Sequence, residues 1–485
     1  MQTVVTEDPT LPPEKGALMT LALQSLDWHR IDRWIMGEAW VGSSIQSHLF
    51  ELCDNIGPRW SSSEAERRAV EYIRDHLEDS KLENSRLEEY SLNTWQLEHH
   101  EALLVEDAVQ LPILPFNRCP PFQAEARLVD VGFGTPHLID AVRELLSGAI
   151  VIMTLGFEPF TTPIPHGARL QSLADFGAAA AIVVDRKEGG RVEYHNLGDW
   201  RDPGIQEHPL PTVAVSREVG ARLRRAPANG GTLHLQVKSR FYQAPSWNVA
   251  AQLAGTSWPD EHLLLGGHHD TVYDAPGGND NATSIIVTLE VARLLAKLRD
   301  EMGISPGRAI HFATYSAEEQ QFQGATAYVQ QHYAGNSGAA PPRLAINLDE
   351  LSTGHMKGMV LAFPHLRSLI QRQLETMNDG LQCHVMSQLD TTSDHFPFLR
   401  AGLDAAHLWR WRFHSRHADA DFHHEPGDTL DKVNVRELKE YIGQMARILL
   451  RLSHAPPEEW PQNPVTVEEV QERLEAERGQ VIRVF

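Results

Sequence analysis

The sequence has few cysteines and no long hydrophobic run. Its three cysteines, Cys53, Cys119 and Cys383, lie far apart in 485 residues and form no CxxC pair. This spacing excludes a disulfide framework and a cysteine-type structural zinc site. No apolar run approaches the roughly 20 residues that a helix needs to cross a bilayer. The apolar stretch at 16–26 follows acidic residues and precedes no small-residue cleavage site, so we expect a cytoplasmic protein.

Positive charge is scarce relative to negative charge. Lys and Arg number 43 against 65 Asp and Glu, which gives a net charge of −22. The field of such a chain repels phosphate, and we therefore predict neither a nucleic-acid nor a membrane partner. Apolar residues make up 42% and charged residues 22%, as in ordinary globular proteins. The length predicts two or more domains.

Changes in sequence character predict four regions. Residues 1–92 contain helical patterns, including one over "SSSEAERRAVEYIRDHLEDS" that Ser62 or Ser63 would cap. Residues 93–240 contain short β-like runs separated by Pro- and Gly-containing loops, with one helix-like segment, "RLQSLADFGA", and no catalytic cluster. They predict an inserted β-rich domain. Residues 241–460 would form a further domain, and residues 461–485 a helical tail.

Residues 241–460 alternate buried strands with helices. "HLLLGG", "RAIHFATYS" and "RLAINL" have the pattern of buried strands, and "ATSIIVTLEVARLLAKL" has helical spacing. This alternation predicts an α/β fold, with a three-layer α/β/α domain around a mostly parallel mixed sheet. Ligands of such sheets bind beyond the carboxyl ends of the strands.

Acidic and histidine side chains follow these strands at the expected edge. Taken one at a time, a His in a loop or an acid at a helix start has an ordinary structural explanation. Several acids at one edge, however, repel one another unless a cation neutralises them. The residues concerned are His268, Asp270, Asp280, Glu318, Glu319, Asp349 and His424.

The charges of this set favour two metal ions. Asp280, Glu319 and Asp349 supply three negative charges, two divalent cations supply four positive charges, and a bridging hydroxide would cancel the difference. Imidazole with carboxylate suits zinc, and cobalt or manganese are possible substitutes. We therefore predict two zinc ions per chain.

Residues 245–435 resemble the catalytic domain of co-catalytic two-zinc exopeptidases, the family of bacterial leucyl aminopeptidases, aminopeptidase Y and glutamate carboxypeptidase. The family pattern H-x-D, P-G-x-N-D-N, E-E, N-L-D, S-D-H and H-T-P-x-D-T occurs here in order. Its counterparts are HHD at 268–270, PGGNDN at 276–281, EE at 318–319, NLD at 347–349, SDH at 393–395 and HEPGDT at 424–429. The helical segment at 47–87 resembles the family's amino-terminal part, so residues 1–92 and 241–460 would together form the catalytic domain, which residues 93–240 would interrupt. The order of elements in this insertion resembles that of a protease-associated domain.

The resemblance implies a role for each residue of the set. Asp280 would bridge both metals, His268 and Asp349 would complete one site, and Glu319 and His424 the other. Glu318 would be the general base, which takes a proton from the attacking water and gives it to the leaving amine. Asp270 would hold the ring nitrogen of His268 that does not bind the metal.

Two histidine pairs need a choice of ligand. Side-chain alternation puts His268 and Asp270 on one side and points His269 away. Counting back from Asp428 selects His424, with His423 as the alternative. Glu425 stands where the family usually has Thr, and this extra acid either alters substrate preference or faces solvent.

The substrate pocket is predicted from the segments that flank the last strand. Asp394 and His395 of the SDH motif line the site or have a structural role. Trp409 or Trp411 would shape the pocket, and Arg410 or Arg412 would bind a carboxylate. The alternative is strand alternation, with the arginines on the surface and the tryptophans packed.

The sequence thus predicts a zinc-dependent exopeptidase that acts on peptides, and an aminopeptidase is favoured because carboxylates beside the metals can hold an α-ammonium group. Carboxypeptidase or dipeptidase action is the alternative, with Arg410 or Arg412 binding the substrate carboxylate. A glutaminyl-cyclase-like enzyme is less favoured, because cyclases of this fold use one metal. A receptor-like relative without activity would have lost ligands that this chain retains.

Overall fold

A computed structural model describes residues 26–196, 208–226, 231–334, 340–351, 356, 358–378, 383–408 and 421–478. Its strands are β1 (Glu83–Leu104), β2 (Val109–Gln110), β3 (Leu114–Pro115), β4 (Phe122–Asp130), β5 (Ile150–Thr154), β6 (Ala180–Val184), β7 (Thr212–Val215), β8 (Thr232–Leu253), β9 (Trp258–His268), β10 (Arg308–Tyr315), β11 (Ala345–Asn347), β12 (Gly358–Leu361), β13 (His384–Ser387) and β14 (Ala405–Leu408).

The α-helices of the same ranges are α1 (Trp28–Val41), α2 (Ile45–Leu49), α3 (Glu64–Asp79), α4 (Pro136–Val142), α5 (His166–Asp175), α6 (Arg217–Leu223), α7 (Thr283–Met302), α8 (Gln323–Tyr333), α9 (Arg367–Thr376), α10 (His395–Arg400), α11 (Val435–His454) and α12 (Val467–Ala476). Two π-helical segments, Phe50–Ile56 and Gly278–Ala282, precede longer helices. Short 3-10 turns lie at Arg143–Leu145, Pro364–Leu366, Leu430–Lys432 and Pro457–Glu459. None of the helices described has the length and apolarity needed to span a membrane.

The carboxy-terminal half forms the predicted α/β/α sandwich. Its strands are ordered β13-β12-β14-β11-β9-β10-β8. β10, β9, β11 and β14 are parallel to their neighbours in this order, whereas β8 and β12 join them in antiparallel pairings. Successive side chains of β9 face opposite sides of the sheet: Leu263 and Leu265 pack with α1, α3, α7 and α11, and Leu264 packs with α8 and α10. The predicted fold class is confirmed.

The segment before the insertion is part of this catalytic fold. Ser63 Oγ accepts the backbone N–H of Glu66 at 3.1 Å and so caps α3. Ala69, Ile73 and Leu77 of this predicted helix are buried in the core shared with α7. The chain therefore leaves the catalytic fold for the insertion and then returns to it.

The insertion contains its own sheet and more helix than the sequence predicted. β4, β5, β6 and β7 pair in parallel, and β3 adds an antiparallel edge. The helix α5 matches the predicted helix-like segment, but α4 and α6 were not expected. Both are seven residues long, too short to show a clear helical period.

A two-stranded ribbon joins the insertion to the catalytic sheet. β1 and β8, each 22 residues long, pair antiparallel along almost their whole length. β8 pairs with β10 at one end and with β4 at the other, so both sheets share it. The strands cross the predicted domain boundaries at 93 and 240, and hydrogen-bonded backbone connects the two regions.

Candidate active site

The predicted ligands lie at one edge of the catalytic sheet because parallel strands end there. β9 ends at His268, β10 ends three residues before Glu318, and β11 ends two residues before Asp349. These strands are parallel neighbours, so their carboxyl ends meet. Asp280 lies in the π-helical turn that precedes α7. His424 comes from a loop after β14.

The structure brings all five predicted metal ligands together. His268 Nε2 lies 3.3 Å from Asp280 Oδ1 and 3.6 Å from Asp349 Oδ1. His424 Nε2 lies 3.2 Å from Asp280 Oδ2 and 3.1 Å from Glu319 Oε1. Asp280 therefore presents one carboxylate oxygen to each histidine. Their role as ligands stays a prediction, which this geometry suits.

The chemistry of the cluster fits a divalent cation. Asp280 Oδ1 and Glu319 Oε1 are buried, and no described residue gives either atom a hydrogen bond. Carboxylate oxygens without such compensation are costly to bury. Imidazole nitrogens and carboxylate oxygens at this spacing are donors that zinc accepts. Sets of three donor residues whose ligand atoms lie within 4.8 Å of one another include Asp280, Glu319 and His424, and His268, Glu318 and Asp349.

Crowding and burial alter the protonation of the acids. Burial raises the pKa of Glu318 well above its usual value; His268 opposes this, and the charges of Glu319 and Asp349 add to it. Burial also raises the pKa of Glu319 against the effect of His424. For Asp280, burial would raise the pKa, but the adjacent histidines outweigh it and hold the pKa well below its usual value. Glu318, which is partly exposed, thus combines a raised pKa with access to solvent.

Asp270 supports both the histidine and the glutamate pair. Its Oδ1 and Oδ2 accept the backbone N–H groups of Glu318 and Glu319, at 3.1 and 3.3 Å. His268 Nδ1 lies 3.1 Å from the main-chain oxygen of Asp270 and 3.4 Å from its Oδ1. The carboxylate therefore reaches more of the site than the predicted contact with His268 alone.

Asp428 positions Asp280 through the backbone. Its carboxylate accepts the N–H groups of Asn279 and Asp280, both at 2.9 Å. The two loops approach so closely that a Cβ on Gly278 would lie 2.7 Å from the main-chain oxygen of Thr429. The PGGNDN and HEPGDT segments are therefore in direct contact. From the sequence, Asp428 served only to locate the histidine, and this positioning role was not predicted.

The two adjacent histidines of the 423–424 pair both approach Asp280. Their rings stack with centroids 3.5 Å apart. His423 Nδ1 lies 3.1 Å from Asp280 Oδ2 and 3.0 Å from Glu350 Oε1. His424 Nδ1 donates to the carbonyl oxygen of Tyr194 at 2.9 Å, which leaves the lone pair of neutral imidazole on Nε2, facing the carboxylates. This arrangement favours His424 as the ligand.

His269 points away from the site, as side-chain alternation predicts. Its Nδ1 lies 3.0 Å from Thr314 Oγ1, and its Nε2 lies 3.7 Å from Glu66 Oε1. It is fully buried behind the sheet edge. This position disfavours His269 as a metal ligand.

The insertion supplies contacts to the site that the sequence analysis missed. Tyr194 bonds His424, and Asn196 Nδ2 donates to Glu319 Oε2 at 3.5 Å. Glu193 Oε1 lies 3.8 Å from His423 Nε2. No motif spacing signals Tyr194, Asn196 and Glu193, because their loop reaches the site only through tertiary packing. The sequence predicted no catalytic cluster in the insertion, and these contacts add neighbours to the predicted ligands without adding a ligand set.

Glu425 does not face solvent, and its effect on substrate preference stays a prediction. It is only 4% exposed and bonds Lys187 and Arg191 of the insertion. It therefore connects two regions of the chain instead of facing solvent. A cavity of about 440 Å³ lies at this junction, lined by residues of both regions, among them Arg191, Tyr194 and Phe422.

The described part of the predicted substrate pocket is buried. Both carboxylate oxygens of Asp394 are buried, and no described residue gives them a hydrogen bond. Burial raises the pKa of Asp394 well above its usual value; His268 opposes this, and Asp270 and Asp349 add to it. His395 Nε2 donates to the Asp390 carbonyl at 2.9 Å. Trp409, Arg410, Trp411 and Arg412 lie outside the described residues, so their roles stay predictions.

Comparisons with known proteins support the resemblance seen in the sequence. A family model described as Peptidase family M28 matches residues 248–449. Carboxypeptidase Q from Bos taurus is 23% identical over 404 residues, which cover 80% of each chain. Leucine aminopeptidase 2 from Trichophyton rubrum is 31% identical over 163 residues, 33% of this chain and 32% of that protein. The structure of a zinc aminopeptidase from Bacillus subtilis shares the fold, with a TM-score of 0.66, 19% identity and coverage of 84% of this chain and 94% of its own.

The region matched by the family model includes every member of the histidine and carboxylate cluster. It begins in β8 and ends in α11, so it spans the catalytic sheet on the carboxy-terminal side of the insertion. The family resemblance drawn from the six motifs is confirmed. Residues 248–449 thus match peptidase family M28, and the chain is a metallopeptidase.

Proposed function

We propose that the chain is a two-zinc exopeptidase, and that it removes residues from the amino terminus of peptides. One observation carries the two-metal proposal: each carboxylate oxygen of Asp280 lies within 3.3 Å of a different histidine, His268 or His424. A bridging carboxylate between two metal sites needs this division of its oxygens. These two distances therefore support two metal sites that share Asp280.

The residues that would hold the ions are those that the family resemblance implies. His268 and Asp349 would serve one ion, Glu319 and His424 the other, and Asp280 both. The metals supply a Lewis acid for the scissile carbonyl and lower the pKa of bound water. Zinc is the proposed native metal, with cobalt and manganese as substitutes, and the proposed location is the cytoplasm, as the sequence predicts.

Glu318 would move the proton. It is partly exposed, it has backbone support from Asp270 at 3.1 Å, and burial raises its pKa. A carboxyl group with these properties can take a proton from water and release it to the leaving amine. Glu319, one residue further, is directed at His424 and would be a ligand instead.

The charge around the site supports amino-terminal recognition. Glu350 adds a buried carboxylate beside the predicted ligands, 3.0 Å from His423 Nδ1, and its negative charge favours an α-ammonium group nearby. Lys187 and Arg191, two cations near the His424 loop, are engaged by Glu425. These ion pairs leave the surroundings of the cluster suited to a cationic end of the substrate.

Carboxypeptidase or dipeptidase action is the second candidate. The observation in its favour is that carboxypeptidase Q aligns with 80% of this chain, against 33% for leucine aminopeptidase 2. Arg410 or Arg412 would then bind the substrate carboxylate. A cyclase-like or receptor-like role is disfavoured by the complete set of predicted ligands and base.

Metal analysis combined with a substrate panel tests these proposals. We expect about two zinc ions per chain by elemental analysis, hydrolysis of aminoacyl-anilides, loss of activity with a chelator, and recovery on adding zinc. Cleavage of amino-blocked dipeptides without cleavage of the anilides would select the carboxypeptidase. A purified chain that binds no zinc and hydrolyses neither class would contradict both.

A further inference from the structure

The loop that carries His424 is anchored to the insertion by a buried ion-pair cluster. Glu425, the next residue, accepts hydrogen bonds from Lys187 Nζ and from Arg191, whose Nε and Nη2 both lie 2.8 Å from its carboxylate. Lys187 is 2% exposed and also lies 3.0 Å from Glu193. Burial alone would lower the pKa of Lys187, but the two carboxylates outweigh burial and raise it.

Arg191 holds the same loop at two further points. Its Nη2 donates to the main-chain oxygen of Asp421, and its guanidinium lies over the Phe422 ring at 4.5 Å. Bidentate arginine–carboxylate pairs fix orientation as well as distance. The loop is thus held along 421–425 by a single segment of the insertion.

The backbone of His424 needs such support. Its φ is +53°, a left-handed conformation that a residue with a side chain adopts only when the surrounding structure maintains it. Tyr194 pairs with His424 twice: its N–H donates to the His424 carbonyl at 2.9 Å, and its carbonyl accepts the His424 Nδ1 proton at 2.9 Å. The side chain is held in this way with Nε2 toward Asp280 and Glu319.

The insertion itself is well placed to act as an anchor. The β1–β8 ribbon ties it to the catalytic sheet by continuous strand pairing. Asn196, fixed by Asn117 at 2.8 Å, reaches Glu319 from the same segment as Tyr194. Two donors of one predicted metal site, His424 and Glu319, therefore contact the insertion.

We propose that the ion-pair cluster of Glu425 with Lys187 and Arg191 positions His424, so that the metal site of His424 and Glu319 depends on the insertion. Lys187, Arg191 and Glu425 are positioning residues, since they act through the loop. The inference rests on the proposed function for its metal, and it goes beyond it by giving the insertion a role. Substitution of residues that support a ligating histidine from outside the metal site typically lowers metal affinity by about 10–100-fold.

Glu425→Gln and Lys187→Met test the proposal with two readouts. Hydrogen exchange of the backbone amides at 421–428, measured in metal-free protein, should be faster in both variants. Competitive chelator titration should show one zinc ion bound about 10–100-fold more weakly and the other unchanged. The double variant should show less than the sum of the two single effects, because both variants lose the Lys187–Glu425 contact.

A matched control is the exposed pair of Arg217 and Glu188 on the same insertion. Glu188→Gln should leave both readouts as in the wild type. Arg191→Gln is the second variant if burial of an unpaired Lys187 prevents folding of Glu425→Gln, because Arg191 is partly exposed and easier to remove. It should show the same two changes.

The outcomes separate this proposal from the proposed function. Unchanged exchange, or faster exchange with unchanged affinity for both ions, would overturn the positioning role. Equal weakening of both zinc ions would also overturn it, because His268 and Asp349 should be unaffected. If the wild type binds no zinc, the proposed function fails, and the positioning of the metal site fails with it whatever the exchange measurement shows.

Discussion

The carbonyl oxygen of Tyr194 lies 2.9 Å from Nδ1 of His424, although the two residues are 230 positions apart. A carbonyl oxygen only accepts hydrogen bonds, so Nδ1 must carry the proton. The neutral ring then has its lone pair on Nε2, which faces Asp280 and Glu319. The insertion thereby sets the tautomer of a predicted metal ligand.

This tautomer predicts different effects for the two adjacent histidines. His424→Ala should lose one of two zinc ions, because Nε2 of this residue is the donor directed at the shared carboxylate. His423→Ala should keep both, because His423 packs on the ring of His424 and bonds Glu350. Elemental analysis after gel filtration measures the zinc content of each variant. Loss of zinc only from His423→Ala would assign the ligand to His423 instead.

Much of the site was predictable because its parts are local. Buried strands have a recognisable pattern, and parallel strands end at one edge of the sheet, so residues just after them meet. His268, Glu318 and Asp349 follow from this rule without any knowledge of loops. His424 followed from the motif resemblance and from counting back from Asp428.

The contacts of the insertion were not predictable in this way. Tyr194 and Asn196 lie in a loop with no periodicity, and their position depends on the length and direction of the β1–β8 ribbon. Glu425 was visible as a departure from the family pattern. Its partners, Lys187 and Arg191, are more than 230 positions away, and sequence alone does not pair such distant charges.

Replacement of the predicted base should separate catalysis from metal binding. Glu318→Gln should keep both zinc ions and lower kcat by about 10²–10⁴-fold, because the amide cannot accept the proton from water. Glu319→Gln is the matched comparison on the adjacent residue, and it should lose zinc because Glu319 faces His424. Zinc content and kcat are measured on the same preparations. A Glu318→Gln enzyme with wild-type kcat would show that another group moves the proton.

A second ion-pair cluster, away from the candidate active site, joins α1 to α11. Asp32 accepts from Arg451 Nη1 and Nη2 at 2.8 and 2.7 Å and from Arg447 Nη2 at 3.1 Å. Burial alone would raise the pKa of Asp32, but hydrogen bonds and charges from the two arginines outweigh it, and the net pKa is lower than usual. Both arginines are almost fully buried.

Asp32→Asn should therefore destabilise the fold in a pH-dependent manner. Since the folded pKa is lower than the unfolded value of about 3.9, ionised Asp32 stabilises the fold above that pH, and this contribution disappears as pH falls through the folded pKa. The free energy of unfolding at pH 7 should fall by about 3 kcal/mol, the cost of leaving buried arginines without their carboxylate. Urea unfolding at pH 7 and pH 3 should show a smaller difference from wild type at pH 3. Asp300→Asn, at an exposed pair with Lys81, should unfold like the wild type at both pH values. Equal stability of Asp32→Asn and wild type at pH 7 would contradict the stabilising role of this ion pair.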